Sequence, residues 1–242
     1  MKILTFDNYQ LMSAKAADLV IALINDQPNC VVAWPTGQTP LALYQELTAE
    51  CQQGETSFQQ LISFNLDNYV GLAHDHPASY ERYMQENFFS QVDVPKTNIY
   101  MPDGQAEDLD WVCDDYERAL QEVGGLDLAI LGLGLNGHLA FNEPGTLVDS
   151  LTHVVDLSAT TRQANVIAFK NIEEVPKQAI TMGLGTILSA QQIILLVSGD
   201  SKKDIVKQAL QGSITPEVPA SYLQQHRNVI VILDKAAATE LN

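Results

Sequence analysis

The chain alternates short, continuous apolar runs with longer amphipathic stretches, and this alternation most constrains its fold. Apolar runs lie at residues 30–34, 61–66, 126–133 and 192–197. A strand that is buried on both faces of a parallel sheet has this composition. Strands separated by helical segments are typical of a mostly parallel sheet. The pattern therefore predicts an α/β protein in three layers, with helices on both faces of a central sheet.

The order of the predicted elements gives a Rossmann-like arrangement. An edge strand is predicted at residues 3–6 and a last strand at 229–233. The predicted helices cover residues 11–25, 41–51, 79–89, 108–123 and 202–210. We find no internal repeat and no linker, so we expect one domain over residues 1–242.

The charge of the chain excludes several classes of partner. Asp and Glu number 30 against 13 Lys and Arg, which gives a formal net charge of −17. Such a surface repels nucleic-acid phosphates and anionic membranes. A small anionic substrate would need a few local positive groups. The chain shows no signal peptide and no apolar run near the roughly 18 residues of a membrane span. We therefore expect a cytoplasmic protein that contacts neither nucleic acid nor membrane.

Polar clusters follow several of the apolar runs, and ligands of parallel sheets bind beyond the carboxyl ends of the strands. The first cluster, at 35–40, comprises Pro35, Thr36, Gly37, Gln38, Thr39 and Pro40. A glycine-containing loop that enters a helix presents free N–H groups and can bind a phosphate. The alternative is an ordinary capped turn. The loop is not a P-loop, because the Gly-Lys-Ser/Thr ending is absent.

Two further clusters each follow a run and carry one charged group of interest. Asp67 comes just after the run at 61–66, where a carboxylate can act as a general base. Its alternative is a turn or helix-capping role. Lys202 comes after the run at 192–197 and can add a point charge to a phosphate site. Its alternative is a solvated lysine, although the helix dipole disfavours a cation there.

The glycine-rich segment 132–145 contains a Gly-x-Gly-x-x-Gly match. We reject a dinucleotide-binding interpretation, because the match lies in mid-chain and Pro144 comes too soon for a long helix. The segment instead carries Asn136, His138 and Glu143, which suggests an active-site loop. An imidazole can both give and take a proton near neutral pH. The alternative is a histidine that only hydrogen-bonds within its loop.

No metal site is predicted. His74 and His76 have a spacing seen in metal ligands, but three residues in one turn do not make a complete ligand set. The three cysteines show no paired spacing, which argues against structural zinc or a disulfide framework.

Four segments together resemble the glucosamine-6-phosphate deaminase family. They are Pro-Thr-Gly-Gln-Thr-Pro at 35–40, Asn-Leu-Asp-Asn-Tyr-Val-Gly at 65–71, Gly-Leu-Asn-Gly-His-Leu-Ala-Phe-Asn-Glu-Pro at 134–144 and Thr-Thr-Arg-Gln-Ala-Asn at 160–165. The resemblance covers nearly the whole chain, and the third segment is highly specific. The same fold group contains 6-phosphogluconolactonases and ribose-5-phosphate isomerases.

The resemblance implies a reaction and a role for each site residue. Glucosamine 6-phosphate and water would give fructose 6-phosphate and ammonia, without a metal or an organic cofactor. His138 would open the sugar ring, Glu143 and Asn136 would orient or tune that imidazole, and Asp67 would move a proton from C2 to C1. The resemblance also implies a set of phosphate-binding residues: Thr36, Gly37, Gln38, Thr39, Arg162 and Lys202.

Three residues depart from the pattern of many relatives. Asn136 and Asn68 stand where many relatives have Asp and Glu, and Ile167 stands where some place a second arginine. The alternatives are therefore a deaminase of another amino-sugar phosphate, such as galactosamine 6-phosphate, a 6-phosphogluconolactonase, or a non-catalytic sugar-phosphate sensor. We expect a monomer or a small homo-oligomer.

Overall fold

The structure, a computed structural model, describes residues 1–241 and is built on a seven-stranded parallel sheet. Its strands are β1 (Lys2–Phe6), β2 (Val31–Trp34), β3 (Ile62–Asn65), β5 (Ile99–Tyr100), β6 (Leu128–Leu131), β9 (Gln192–Val197) and β10 (Val229–Asp234). Their order across the sheet is β1-β10-β9-β6-β2-β3-β5. The predicted α/β class is confirmed, and the first strand lies at an edge as expected.

Helices cover both faces of this sheet. They are α1 (Tyr9–Asp26), α2 (Leu41–Gln53), α3 (Tyr80–Met84), α4 (Leu109–Glu122), α5 (Ala159–Asn165), α6 (Leu184–Leu188) and α7 (Lys203–Gln211). The helix predicted at 79–89 begins as α3 and continues as one π-helical turn, Gln85–Phe89. The helix predicted at 202–210 is α7, and a 3₁₀ turn, Asp200–Lys202, leads into it.

The core consists of two apolar layers, one on each face of the sheet. Along β2, Val31 and Ala33 point into the layer that contacts α4, α6 and α7. Val32 and Trp34 point into the other layer, beneath α1 and α2. All four side chains are buried, which explains why this strand is a continuous apolar run. Burying one large aliphatic side chain stabilises the fold by about 1.5–3 kcal/mol.

A second, three-stranded antiparallel sheet was not predicted from the sequence. It consists of β4 (Asp67–Tyr69), β8 (Gln178–Thr181) and β7 (His153–Asp156), in that order. Only Leu66 separates β3 from β4, so the chain passes directly from the large sheet into the small one. Asp67 lies at this junction and pairs with Thr181 of β8.

The strand order brings the polar clusters together. Strands β9, β6, β2 and β3 are consecutive neighbours, and all four are parallel. Their carboxyl ends therefore lead into four adjacent segments: 198–202, 132–145, 35–40 and the start of β4. Among residues 1–241, no helix is long and apolar enough to span a membrane.

Candidate functional site

A cavity of about 220 Å³ opens at the carboxyl ends of these strands. The residues predicted to form the site contribute a large part of its wall. Those that line it are Thr36, Gly37, Gln38, Thr39, Asp67, His138 and Lys202. Segments of the chain that are far apart in sequence thus converge on one space.

Asp67 presents a buried carboxyl group to the cavity. Its side chain is only 7% exposed, and Oδ1 makes no hydrogen bond within residues 1–241. Burial raises the pKa of Asp67 from 3.8 to about 7. A carboxylate that titrates near neutral pH is a stronger base than an ordinary aspartate, and it is close to the pKa that suits a general base.

His138 and Glu143 lie beside each other, and Asn136 connects them. Nδ1 of His138 is 3.9 Å from Oε2 of Glu143. The amide of Asn136 donates to Oε2 of Glu143 at 2.7 Å, while its carbonyl oxygen accepts from the His138 backbone N–H at 3.2 Å. Asn136 and Glu143 stand behind His138 and do not line the cavity. The three predicted residues are therefore together, with the imidazole in front.

Thr161 of α5 joins this group, and the sequence did not point to it. Its hydroxyl is 3.3 Å from Nδ1 of His138, accepts from Ser158 Oγ at 3.0 Å, and lies close enough to Glu143 to lower the pKa of that carboxyl. The Glu143 carboxylate can only accept hydrogen bonds, and because it faces Nδ1 it favours a proton on that nitrogen. We therefore assign the proton of a neutral His138 to Nδ1, which leaves Nε2 as an acceptor. Nε2 makes no hydrogen bond within residues 1–241.

Burial and hydrogen bonding set the charges of the His138–Glu143 pair. Burial lowers the pKa of His138, the Glu143 carboxylate opposes this, and Lys202 adds to it. Burial would raise the pKa of Glu143, but hydrogen bonds from Thr161 and Asn136, together with the nearby imidazole, hold it below its ordinary value. Near pH 7 the imidazole is therefore neutral and the carboxylate is charged.

The loop at 36–39 offers its backbone amides to the cavity. The N–H groups of Thr36, Gly37, Gln38 and Thr39 donate to no atom within residues 1–241. Gly37 has a φ of 101°, a left-handed conformation that favours glycine. The loop then enters α2 through Pro40 at the N-cap position. Successive free backbone N–H groups in a loop attract an anion.

Lys202 is the one Lys or Arg among the residues that line the cavity. Nζ donates to the backbone oxygen of Leu133 at 2.6 Å, which holds the ammonium group over the glycine-rich loop. Burial lowers the pKa of Lys202 from its ordinary value. An ammonium group has further N–H donors available for a ligand.

Arg162, which was predicted to bind the phosphate, is not among the residues that line the cavity. Its guanidinium donates to the backbone oxygens of Ile172 at 2.7 Å and Val175 at 3.1 Å. These bonds join α5 to the segment that precedes β8. The side chain is used within the protein, because the backbone carbonyls of that segment need donors.

Two departures from the family pattern lie outside the cavity wall. Asn68 is buried, and its amide donates to Glu81 at 3.1 Å and to the Pro102 backbone oxygen at 2.9 Å. Asn68 thus ties β4 to α3 and to the loop before α4. Ile167 is 80% exposed, in the 3₁₀ turn Val166–Ala168.

Aromatic and amide side chains that sequence reasoning did not single out complete the wall. Tyr80, Phe141 and Asn165 line the cavity, and the rings of Tyr80 and Phe141 stack with centroids 6.1 Å apart. Phe141 and Asn165 lie in the segments 134–144 and 160–165 that carry the family resemblance, which could have suggested them. Within residues 1–241, no group of three or more His, Cys, Asp or Glu side chains could hold a metal ion.

Comparisons with known sequences identify a family. A sequence model described as glucosamine-6-phosphate isomerases/6-phosphogluconolactonase matches residues 7–232. The chain is 46% identical over 239 residues to a glucosamine-6-phosphate deaminase of Thermoanaerobacter sp. (strain X514), covering 99% of this chain and 94% of the relative. It is 46% identical over 242 residues to the enzyme of the same name from Oceanobacillus iheyensis, covering 100% and 97%.

Solved structures agree with this result. A monomeric glucosamine-6-phosphate deaminase superimposes with a TM-score of 0.97 at 42% identity, covering 99% of this chain and 100% of that one. The 6-phosphogluconolactonase of Trypanosoma brucei superimposes with a TM-score of 0.81 at 23% identity, covering 100% and 98%. The second likeness shows a shared fold.

Proposed function

Because the chain belongs to the family of glucosamine-6-phosphate isomerases and 6-phosphogluconolactonases, we propose that it converts glucosamine 6-phosphate and water to fructose 6-phosphate and ammonia. The observation that carries this proposal is the pairing, in one cavity, of a buried unpaired carboxyl with a neutral imidazole, Asp67 with His138. Relatives named glucosamine-6-phosphate deaminase, 43–46% identical over almost the whole chain, support it.

The first step opens the sugar ring, and His138 is placed to carry the proton. Its unprotonated Nε2 takes the proton of the C1 hydroxyl and gives it to the ring oxygen. The C1–O5 bond breaks as the C1 carbonyl forms. Thr161 and Glu143 contact Nδ1 of the imidazole. They therefore stabilise the positive charge that the imidazole carries between the two proton transfers.

The second step moves a proton between carbons, and Asp67 serves as the base. The carboxylate takes the C2 proton of the open-chain aldehyde and the electron pair forms the C1–C2 double bond. The carbonyl oxygen gains a proton from the substrate's own ammonium group, which frees the nitrogen lone pair. The same carboxyl returns the proton to C1 while the nitrogen lone pair forms a C2–N double bond. Water then adds at C2 and ammonia leaves, which gives the ketose. A base with a pKa of about 7 suits both directions of transfer.

The phosphate would sit at the other end of the substrate, on the free amides of 36–39 and the ammonium group of Lys202. This gives one full positive charge and several partial ones for a dianion. Arg162 takes no part in this proposal, because its guanidinium is engaged by the backbone oxygens of Ile172 and Val175. The whole chain would act as a single catalytic domain.

A substrate panel tests the proposal. Purified protein is incubated with glucosamine 6-phosphate, galactosamine 6-phosphate and 6-phosphogluconolactone, and ammonia, ketose phosphate and acid release are measured. We expect equal amounts of ammonia and fructose 6-phosphate from glucosamine 6-phosphate. Faster turnover of galactosamine 6-phosphate would change the substrate but keep the chemistry. Acid release from the lactone, with no ammonia from either amino sugar, would overturn the proposal.

A further inference from the structure

Three tyrosine hydroxyls hold the back of the loop at 36–39. Tyr44 of α2 donates to the Pro35 backbone oxygen at 2.5 Å. Tyr83 of α3 donates to the Gly37 oxygen, also at 2.5 Å. Tyr9, the first residue of α1, lies 3.1 Å from the Gln38 oxygen and 3.0 Å from the Thr39 oxygen. Three separate helices thus fix the carbonyls of one short loop.

The same contacts fix where the loop amides point. In a trans peptide unit the C=O of one residue and the N–H of the next point in opposite directions. No tyrosine of the three lines the cavity, whereas the loop itself does. Holding the Gly37 and Gln38 carbonyls on the tyrosine side therefore turns the N–H groups of Gln38 and Thr39 toward the cavity.

We propose that Tyr9 and Tyr83 are positioning residues that orient the amides of 36–39 for the substrate phosphate. This inference rests on the proposed function, because it assigns the phosphate to that loop. The hydroxyl of Tyr9 also accepts from the Ala42 N–H at 3.0 Å, so the same group secures the first turn of α2. The tyrosines touch no substrate and act through the loop.

The composition of the cavity makes this orientation important. Lys202 is the one Lys or Arg in its wall, so much of the attraction for a phosphate comes from backbone dipoles. A glycine with a φ of 101° gives the loop freedom to turn a carbonyl oxygen toward the anion, which would repel it. Fixed dipoles bind more tightly than dipoles that must reorient. Burial raises the pKa of Tyr83, so its hydroxyl stays protonated at any ordinary assay pH.

The test compares Tyr9→Phe, Tyr83→Phe and the double variant with the wild type. Tyr222→Phe is the matched control, since this tyrosine lines a different pocket and its hydroxyl makes no hydrogen bond within residues 1–241. KM for glucosamine 6-phosphate, kcat, and Kd for inorganic phosphate by calorimetry are measured. We expect each single variant to raise KM and Kd about 2–10-fold, the range for loss of one hydrogen bond, with kcat within about twofold. Tyr222→Phe should change neither.

Several outcomes would overturn the inference. Unchanged Kd and KM in the double variant, or a loss of kcat at unchanged KM, would show that the tyrosines do not act through the phosphate loop. Failure of the wild-type protein to bind inorganic phosphate would also overturn the inference. If the wild type binds phosphate but releases no ammonia, the proposed function fails while the Kd comparison still decides the role of the tyrosines. Should Tyr9→Phe unfold, Tyr83→Phe carries the comparison, since Tyr83 contacts the loop from a different helix.

Discussion

At the scale of single residues, Asp67 lowers the stability of the fold near neutral pH, because its charged carboxylate is buried. Burial raises its pKa from 3.8 to about 7, so the folded protein binds this proton more tightly than the unfolded chain does. Stability linked to this group is therefore greatest below about pH 4 and falls as pH rises toward 7. The molecule carries this cost at the position where the proposed reaction needs a base.

Replacing Asp67 with Asn should separate stability from activity. Asp67→Asn removes the buried charge, so the free energy of unfolding at pH 8 should rise by about 1–4 kcal/mol, and the gain should vanish near pH 4. The rate should fall about 10²–10⁴-fold. Thermal unfolding of both proteins from pH 4 to 8 measures the first effect. A stability difference that does not depend on pH would contradict the buried-charge account.

Thr161 should matter through the histidine that it contacts. Thr161→Val keeps the shape but removes the hydroxyl between His138 and Glu143, so the Nδ1 proton loses its acceptor. We expect kcat to fall about tenfold, equivalent to about 1.4 kcal/mol, with KM little changed. Thr161→Ser restores the hydroxyl and should recover most of the rate. A Ser variant as slow as the Val variant would point to packing instead.

At the scale of elements, α5 and the small sheet were the parts that the sequence predicted least well. The buried strands were predictable because burial on both faces leaves continuous apolar runs, as in β9. Strands β4, β7 and β8 have three or four residues each, and β7 is only partly buried, so their composition carries little periodicity. Asp67 and His138 could be predicted from their positions after a run and within a glycine-rich motif. The contacts of Thr161 and Arg162 could not, because they depend on how α5 packs.

Arg162 should behave as a structural residue of α5. Arg162→Gln shortens the side chain and removes the guanidinium that donates to Ile172 and Val175. Backbone hydrogen exchange in 166–175 should therefore accelerate, and the free energy of unfolding should fall by about 1–3 kcal/mol. Affinity for inorganic phosphate should stay within about twofold, whereas Lys202→Ala should lower it about tenfold or more. A loss of phosphate affinity in Arg162→Gln equal to that in Lys202→Ala would restore the arginine to the phosphate site.

At the scale of the whole molecule, an acidic body surrounds a small site for an anion. The net charge of −17 repels a phosphate dianion at long range, while in the proposed site Lys202 and the loop amides would attract it at contact. The sequence showed the imbalance of charge, but only the structure shows how few cations reach the cavity. Long-range repulsion is screened by salt more effectively than contacts inside a partly buried site.

Higher ionic strength should therefore favour the binding of the phosphorylated substrate to this protein. Raising sodium chloride from about 10 mM to about 150 mM shortens the Debye length from about 30 Å to about 8 Å. We expect kcat/KM for glucosamine 6-phosphate to rise over this range, because screening removes more repulsion than attraction. Initial rates at low substrate concentration measure the effect. A steady fall in kcat/KM as salt is raised from the lowest concentration would mean that attraction by the site outweighs the long-range repulsion.

Isotope tracing can show whether Asp67 moves a proton from C2 to C1. Glucosamine 6-phosphate that carries deuterium at C2 is converted in ordinary water, and the fructose 6-phosphate is analysed for deuterium at C1. Since the Asp67 side chain is only 7% exposed, a deuteron on its carboxyl should exchange slowly with solvent. We predict that the wild-type product keeps part of the deuterium at C1 and that Asp67→Asn gives almost no product. A product without deuterium at C1, or an Asp67→Asn variant as fast as the wild type, would contradict the account.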